Sequence, residues 1–214
     1  MMTQPQTLSD RFTAFLSRTR LYLAGLLWAG AAVMLSSCSS QDISTYKGAT
    51  PELSLEQFFD GRTSAYGVFE DRFGQLRRQF RVDIEGRTEG GNLILDEKFL
   101  YDDGEQARRI WTISREDSTE DGLTFYTGTA DDITGTATGM AAGNVLSWSY
   151  DITLDMGGTE LEVRFDDAIY QMTDELAINR AEISKWGVQI GTVTIIFLRG
   201  QLARTAGVPN LTVW

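Results

Sequence analysis

Apolar and polar residues alternate along most of the chain beyond Gly61. Residues 80–85 place apolar side chains at every second position and charged side chains between them. Residues 146–154 repeat the pattern with larger side chains, and residues 161–165 and 193–197 follow it again. A period of two places successive side chains on opposite faces of an extended chain. Each stretch therefore predicts a β-strand with one buried face.

Short turn signals separate these stretches, and their Gly, Asn and Asp residues tolerate a positive φ. They are Gly90-Gly91-Asn92, Asp102-Asp103-Gly104, Asp121-Gly122, Gly143-Asn144 and Gly157-Gly158. Eight to ten strands joined by short hairpins predict an all-β fold, an antiparallel up-and-down β-barrel of the lipocalin-like kind. Only residues 52–59, as a short N-terminal helical turn, and residues 179–187 are predicted to be helical.

The N-terminal region has a different pattern. Three arginines precede an apolar run of 14 residues, 21–34, which is shorter than the roughly 20 residues that span a bilayer as a helix. This layout is typical of a secretory signal. The following Leu35-Ser36-Ser37-Cys38 resembles the lipobox of bacterial lipoproteins, which implies cleavage before Cys38 and a lipid on its thiol. An uncleaved anchor and a free thiol are the alternatives.

This interpretation divides the chain into four segments. We expect a signal peptide over 1–37, a lipidated tether over 38–51, a barrel domain over 52–199 and a C-terminal tail over 200–214. The partner would be a membrane, reached through the lipid on Cys38. Ser39 replaces the aspartate that retains well-studied lipoproteins in the inner membrane. That resemblance implies the bacterial cell envelope, with the protein on the outer membrane facing the periplasm.

Composition excludes several functions. Cleavage before Cys38 leaves 177 residues with 16 basic and 29 acidic side chains, a formal net charge of −13. A protein this acidic does not attract nucleic acid through its general field. Because the chain has no histidine and its single cysteine would carry lipid, Cys/His zinc sites and Ser-His-Asp or Cys-His catalysis are excluded. We therefore expect no catalytic residue, metal or cofactor.

Carboxylates keep one enzymatic alternative open. Aspartate pairs occur at 102–103, 131–132 and 166–167, and the segment 116–122 is rich in oxygen ligands. We interpret the pairs as caps near strand ends and the segment as a solvated loop, since its spacing differs from an EF-hand. A hydrolase would need two carboxylates from different strands to meet in one cleft.

Arginine outnumbers lysine by 16 to 3. Rigid two-pronged bonds to carboxylates favour cross-strand Arg–Asp pairs as the explanation. The alternative is that one or two arginines point inward and hold the acidic head of an amphipathic ligand.

Large aromatic residues occupy the predicted inward positions. An eight-stranded barrel is either filled by its own side chains or holds one small ligand. We predict a cavity for a small apolar ligand, with a filled core as the alternative. The candidate lining residues are Trp111, Phe125, Trp148, Tyr150 and Phe165.

Several short segments carry a family resemblance. They are Phe58-Phe59-Asp60-Gly61, Leu95-Asp96-Glu97-Lys98-Phe99, Tyr101-Asp102-Asp103-Gly104-Glu105, Arg109-Ile110-Trp111-Thr112-Ile113, Ala130-Asp131-Asp132-Ile133, residues 135–143 and Phe165-Asp166-Asp167. Together they resemble a family of Gram-negative lipoproteins defined only as a domain of unknown function, over residues 51–199. The resemblance implies an envelope lipoprotein and no catalytic residues. The similarity to lipocalins is weaker, because Gly61-Arg62-Thr63 lacks the tryptophan of their first strand.

These observations favour a binding module: a membrane-anchored, periplasm-facing lipoprotein whose barrel holds a small apolar or lipid-like molecule. The alternative is a structural or interaction lipoprotein with a filled barrel, whose protein partner the sequence does not identify.

Overall fold

The computed structural model describes residues 42–116, 122–155 and 160–206. Its ten strands are β1 Gly61–Asp71, β2 Leu76–Glu89, β3 Asn92–Tyr101, β4 Gln106–Glu116, β5 Thr124–Thr129, β6 Ile133–Ala142, β7 Val145–Asp155, β8 Glu160–Thr173, β9 Leu176–Lys185 and β10 Val188–Arg199. The helical elements are a 3-10 turn Ile43–Tyr46, α1 Leu55–Phe58 and α2 Gly200–Thr205.

The strands form one closed barrel. Each strand pairs antiparallel with the next along the chain, and β1 pairs with β10 to close the sheet. Ala65 of β1, for example, lies opposite Val82 on one side and Phe197 on the other. Closure pairs every strand on both sides and leaves no open edge for aggregation. The predicted all-β, antiparallel up-and-down, lipocalin-like barrel is confirmed, at the upper end of the predicted strand number.

The alternating pattern builds the core as predicted. In β2, Phe80, Val82 and Ile84 are buried inside the barrel, whereas Arg81 and Asp83 face outward and form an ion pair of 3.0 Å. Burying a large apolar side chain contributes about 1.5–3 kcal/mol. The interior face is therefore the main source of stability.

Helix α1 closes one end of the barrel. Leu55, Phe58 and the following Phe59 are all buried in the main core cluster. The Phe59 ring packs edge-on against Phe197 of β10, with ring centroids 5.3 Å apart. The predicted N-terminal helical turn is confirmed, and it closes the barrel as a plug.

The segment before α1 also packs on the barrel. Ile43, in the 3-10 turn, is 2% exposed and contacts a second cluster outside the barrel, with Leu123, Ala142 and Val145. Within the segment predicted as a tether, the chain from Ile43 onward is therefore held against the barrel by an apolar side chain. Residues 1–37 and Cys38 lie outside the described residues.

Near the C-terminus, the observed secondary structure differs from the prediction in two places. Residues 179–187, predicted as a helix, belong instead to β9 and the turn after it. Ala177, Asn179 and Ala181 are buried while Arg180 and Glu182 are exposed, which is the period of a strand. At the start of the predicted tail, α2 continues directly from β10, and residues 207–214 lie outside the described part.

Residues 43–214 form one compact unit. The closed barrel, its plug and both apolar clusters all lie within it. This unit contains its own core and can therefore be studied without residues 1–42. Among the described residues, no helix has the length and apolarity needed to cross a membrane.

Candidate functional site

A cavity of about 680 Å³ lies inside the barrel. Leu55 and Phe59 of the plug line one end of it. It extends to Arg78, Tyr101 and Glu105 near the β3–β4 turn at the opposite end, which we call the mouth. There the Arg78 guanidinium stacks 3.6 Å above the Tyr101 ring. The barrel interior is thus partly hollow.

Four of the five predicted aromatic residues come together on the cavity wall. Trp111 of β4 packs edge-on against Trp148 and Tyr150 of β7, with ring centroids 5.7 Å and 5.4 Å apart. Tyr150 stacks on Phe165 of β8 at 5.2 Å. Their contact with a ligand stays a prediction.

Glycine makes room for the largest of these rings. Gly128 of β5 and Gly139 of β6 face Trp148, and a Cβ at either position would collide with its indole. The aromatic wall therefore depends on glycine at one position in each of two neighbouring strands.

Phe125 lies elsewhere, and its predicted inward orientation is corrected. In β5 the interior positions are Tyr126 and Gly128, so alternation turns Phe125 to the outer face. There it packs against the second cluster, around Leu123 and Val145.

A polar cluster lies among the apolar residues of the cavity. It consists of Glu97 on β3, Arg109 on β4, Asp132 in the β5–β6 turn, Asp167 on β8 and Asn179 on β9. Arg109 donates to both carboxylate oxygens of Asp132, through Nε at 3.0 and 2.9 Å and through Nη2 at 2.7 Å. This two-pronged pair satisfies both partners and neutralises the guanidinium charge.

Among the described residues, neither Glu97 nor Asp167 has such a two-pronged bond to a cation. Burial raises the pKa of Glu97 to about 7, against the opposing effect of Arg109. Burial likewise raises the pKa of Asp167 to about 7, against a hydrogen bond from Asn179. Ionising a carboxylate away from water is unfavourable, so both acids hold protons up to neutral pH.

Asn179 is the least satisfied member of the cluster. It is 5% exposed, and its Nδ2 donates to Asp167 Oδ1 at 3.3 Å. Its Oδ1 has no donor among the described residues. A buried acceptor without a donor is costly, and such sites in native proteins usually serve a ligand or an ordered water.

The sequence interpretation missed this cluster, although it contained signals of it. Glu97 interrupts the inward apolar series of β3, and Arg109 shares the inward face of β4 with Trp111. The pair at 166–167 was expected near a strand end. Instead β8 continues through it, which turns Asp166 outward and buries Asp167 at 8% exposure.

Some arginines on the outer face form the expected cross-strand pairs with aspartate, and others pair with an acid on the same strand or with glutamate. Arg108 binds Asp96 across β4 and β3 at 2.7 Å, and Arg164 lies 3.4 Å from Asp151 across β8 and β7. Among the described residues, two arginines face the cavity: Arg109, which Asp132 binds, and Arg78 at the mouth, which pairs with Asp103 and Glu105. The acidic segment 116–122 falls mostly outside the described residues. Within the described part, no group of acidic, histidine or cysteine side chains could hold a metal ion.

Comparison with known proteins places the chain in a family. A family model described as "Protein of unknown function (DUF3833)" matches residues 32–199, which is more than half of the chain. The chain belongs to this family. No curated protein matches it.

Two solved structures are similar in fold. One is a protein of unknown function from the DUF3598 family of Nostoc punctiforme, at 11% identity and a TM-score of 0.49. The match covers 70% of this chain and 50% of that one, so this chain spans about half its length. The other is the S-type phycobiliprotein lyase CPES of Guillardia theta, at 12% identity and a TM-score of 0.48, covering 69% and 93% of the two chains. At this level the likeness carries no argument about ligand or activity.

Proposed function

We propose that this DUF3833 protein binds a small amphipathic, lipid-like molecule inside its barrel. The observation that carries the proposal is the cavity of about 680 Å³, which combines an aromatic wall with a polar cluster. Ligand pockets typically measure about 300–1,000 Å³ and are mostly apolar with a few convergent polar groups. The cavity has this composition, and its volume argues against the filled-barrel alternative.

The second part of the proposal is a lipid anchor on Cys38 that holds the barrel at the periplasmic face of the outer membrane. The arginine-led apolar run, the lipobox-like Leu35–Cys38 and Ser39 support it. Two or more acyl chains on one residue are enough for stable attachment.

Uptake of amphiphiles tests the binding function. Residues 43–214 are incubated with fluorescent fatty-acid and phospholipid probes, and bound species are read by native mass spectrometry. Trp111 and Trp148 line the cavity and report occupancy through their own fluorescence. We expect one ligand per barrel. Recovery of ligand-free protein with every probe, and unchanged fluorescence, would overturn the proposal.

Labelling in cells tests the anchor. The full chain is expressed in a Gram-negative host with radiolabelled palmitate, beside a Cys38→Ser control. We expect label in the wild type alone, and label in the outer-membrane fraction. An unlabelled wild-type protein would contradict the anchor and leave ligand binding intact.

The hydrolase alternative gains one specific observation. Glu97 and Asp167, from strands on different parts of the barrel, face the same cavity, and burial raises the pKa of each to about 7. A protonated and an ionised carboxyl group are what acid–base hydrolysis requires. Release of product from chromogenic glycosides or esters, abolished in Glu97→Gln and Asp167→Asn, would establish this second function.

A further inference from the structure

We propose that the polar group of the ligand is a cationic hydrogen-bond donor, such as a primary amine, held by Glu97, Asp167 and Asn179. This inference rests on the proposed ligand-binding function and assigns the chemistry of its head group.

Hydrogen-bonding capacity is the first argument. The three side chains project inward from β3, β8 and β9 and line the same cavity. Asn179 presents an oxygen with no donor in the described part of the chain. The Trp111 side chain hydrogen-bonds Glu97, and the Tyr150 hydroxyl and Asn179 bond Asp167, which leaves acceptor capacity on both carboxylates. Within the described residues, the Asn179 oxygen and both carboxylates keep acceptor capacity, so a ligand that supplies donors fits them.

Charge is the second argument. Asp132 already engages Arg109 at both carboxylate oxygens. With Glu97 and Asp167 ionised, three carboxylates face one guanidinium, which leaves a formal charge of −2. An anionic head group would meet repulsion in a medium of low dielectric, whereas a cation would replace the missing countercharge.

The neighbouring rings are the third argument. Trp111 and Tyr150 pack beside the acids, and Trp148 adds a second indole to the same wall. The Trp111 indole and the Tyr150 hydroxyl hydrogen-bond the two acids through their ring edges, so these rings hold the carboxylates in place beside the head group. The same rings accept the methylene chain that follows the head group.

Proton linkage gives the expected pH dependence. The charged and titratable groups facing the head group are Glu97, Arg109, Asp132, Tyr150 and Asp167. Burial raises the pKa of Tyr150 above its usual value, so it stays a neutral donor. The pKa values of about 7 for Glu97 and Asp167 mean that ionising them accompanies amine binding. Amine affinity should therefore rise between pH 6 and 8, while a primary amine remains charged.

Matched amphiphiles test the inference. Residues 43–214 are titrated at pH 8 with dodecylamine, dodecanoate and dodecyltrimethylammonium, each below its micelle concentration, with tryptophan fluorescence and calorimetry as readouts. We expect dodecylamine to bind at least about tenfold more tightly than dodecanoate, since a charge-assisted hydrogen bond contributes about 1.4 kcal/mol or more. The trimethylammonium compound carries the charge without N–H groups and should bind more weakly than dodecylamine.

Substitutions test whether Glu97, Asp167 and Asn179 cause the preference for the amine over the carboxylate. Glu97→Gln, Asp167→Asn and Asn179→Ala should each reduce dodecylamine affinity by several-fold without weakening dodecanoate binding. Asp166→Asn is the matched control, because it makes the same change one residue away on the exposed face. It should leave both affinities unchanged.

The outcomes separate the two proposals. Tighter binding of dodecanoate, or a dodecylamine affinity that the three variants leave unchanged, would overturn the head-group assignment while ligand binding stands. Equal affinity for the two cationic compounds would overturn the role of the N–H donors. Failure of all three amphiphiles to bind would overturn the assignment together with the proposed function.

Discussion

At the scale of single residues, glycines leave the space that larger groups occupy. Gly86 on β2 faces the plug, and the carbonyl group of Phe59 occupies the space in which a Cβ at Gly86 would lie. Backbone cannot move aside as a flexible side chain can, so glycine is required at this contact.

Gly86→Ala therefore displaces the plug. We expect a loss of about 1–3 kcal/mol in the free energy of unfolding, which is the usual cost of overpacking a core. Denaturant titration measures it, with Arg87→Ala as the control, because Arg87 is exposed on the same strand. A Gly86→Ala variant as stable as the control would contradict the role of this contact.

Trp186 is a residue whose backbone and side chain are both unfavourable for stability. It lies in the β9–β10 turn with φ at 51°, and its side chain is 92% exposed. A left-handed conformation costs a bulky residue about 1–2 kcal/mol and costs Asn much less.

Trp186→Asn should therefore stabilise the protein by about 1 kcal/mol, or about 2–4 °C in Tm. Trp186→Phe keeps the strain and should leave Tm unchanged. Thermal unfolding of the two variants checks this, and a lower Tm for Trp186→Asn would show that the exposed indole contributes packing.

At the scale of elements, the continuity of β8 shapes the site. The strand runs from Glu160 to Thr173 without a break, so Asp167 lies in its interior and not at a cap. A strand carries alternate residues to opposite faces. The pairing of β8 with β7 and β9 then brings Asp167 opposite Trp148 and Ala181.

Helix α1 is the element that closes the cavity, and Phe59→Ala tests this. Removing the ring should cost about 3–5 kcal/mol, the range for deleting a buried phenylalanine. It should also weaken amphiphile binding, because Phe59 lines the cavity. Gln57→Ala, at an exposed position two residues earlier, is the control for chemical denaturation and binding. Retained stability in Phe59→Ala would contradict a structural plug.

At the scale of the whole molecule, burial links stability to pH. The pKa values of Glu97 and Asp167, about 7 in the folded protein, exceed the values of about 4 in an unfolded chain. The folded state therefore binds more protons between about pH 4 and 7. Their contribution to stability is complete below pH 4 and is lost as the pH rises through 7.

Carboxylates that pair with arginine on the outer face act in the opposite direction. The Arg108 side chain lowers the pKa of Asp96, so this group contributes stability that is lost as the pH falls through its folded value. The two effects operate over different pH ranges.

The Asp167→Asn variant isolates the contribution of this buried carboxyl group to the pH dependence of stability. The amide cannot ionise, so Tm of the variant relative to wild type should increase from pH 5 to pH 8. Asp166→Asn, on the exposed face, is the matched control and should follow the wild type. Thermal melts of the three proteins at both pH values measure the difference. A constant difference between Asp167→Asn and wild type would contradict the buried ionisation.

The architecture was predictable because the apolar positions repeat with a period of two. Residues 80–85 and 146–154 each have only one extended arrangement that buries their apolar face. Residues 179–187 were misassigned because Asn179 and Ala181, which take the inward positions, give a weak apolar alternation. Pairing with β8 and β10 on both sides makes it a strand.

Five aromatic residues were predicted to face the barrel interior, and the prediction is wrong only for Phe125. Trp111, Trp148, Tyr150 and Phe165 lie in long strands whose phase is clear. Strand β5 has only six residues, and one of its two inward positions is Gly128. Its sequence therefore indicates weakly which side chains face inward, and the pairing with β4 and β6 sets their direction.

A barrel of antiparallel strands with an aromatic interior follows from the amino-acid pattern, because alternation and short turns are local properties. The closed fold is needed to show that this interior is partly hollow and that Glu97, Arg109, Asp132, Asp167 and Asn179 meet there. These residues come from β3, β4, β8, β9 and one turn, far apart along the chain. Burial and proximity, which set their charges, exist only once the barrel has closed.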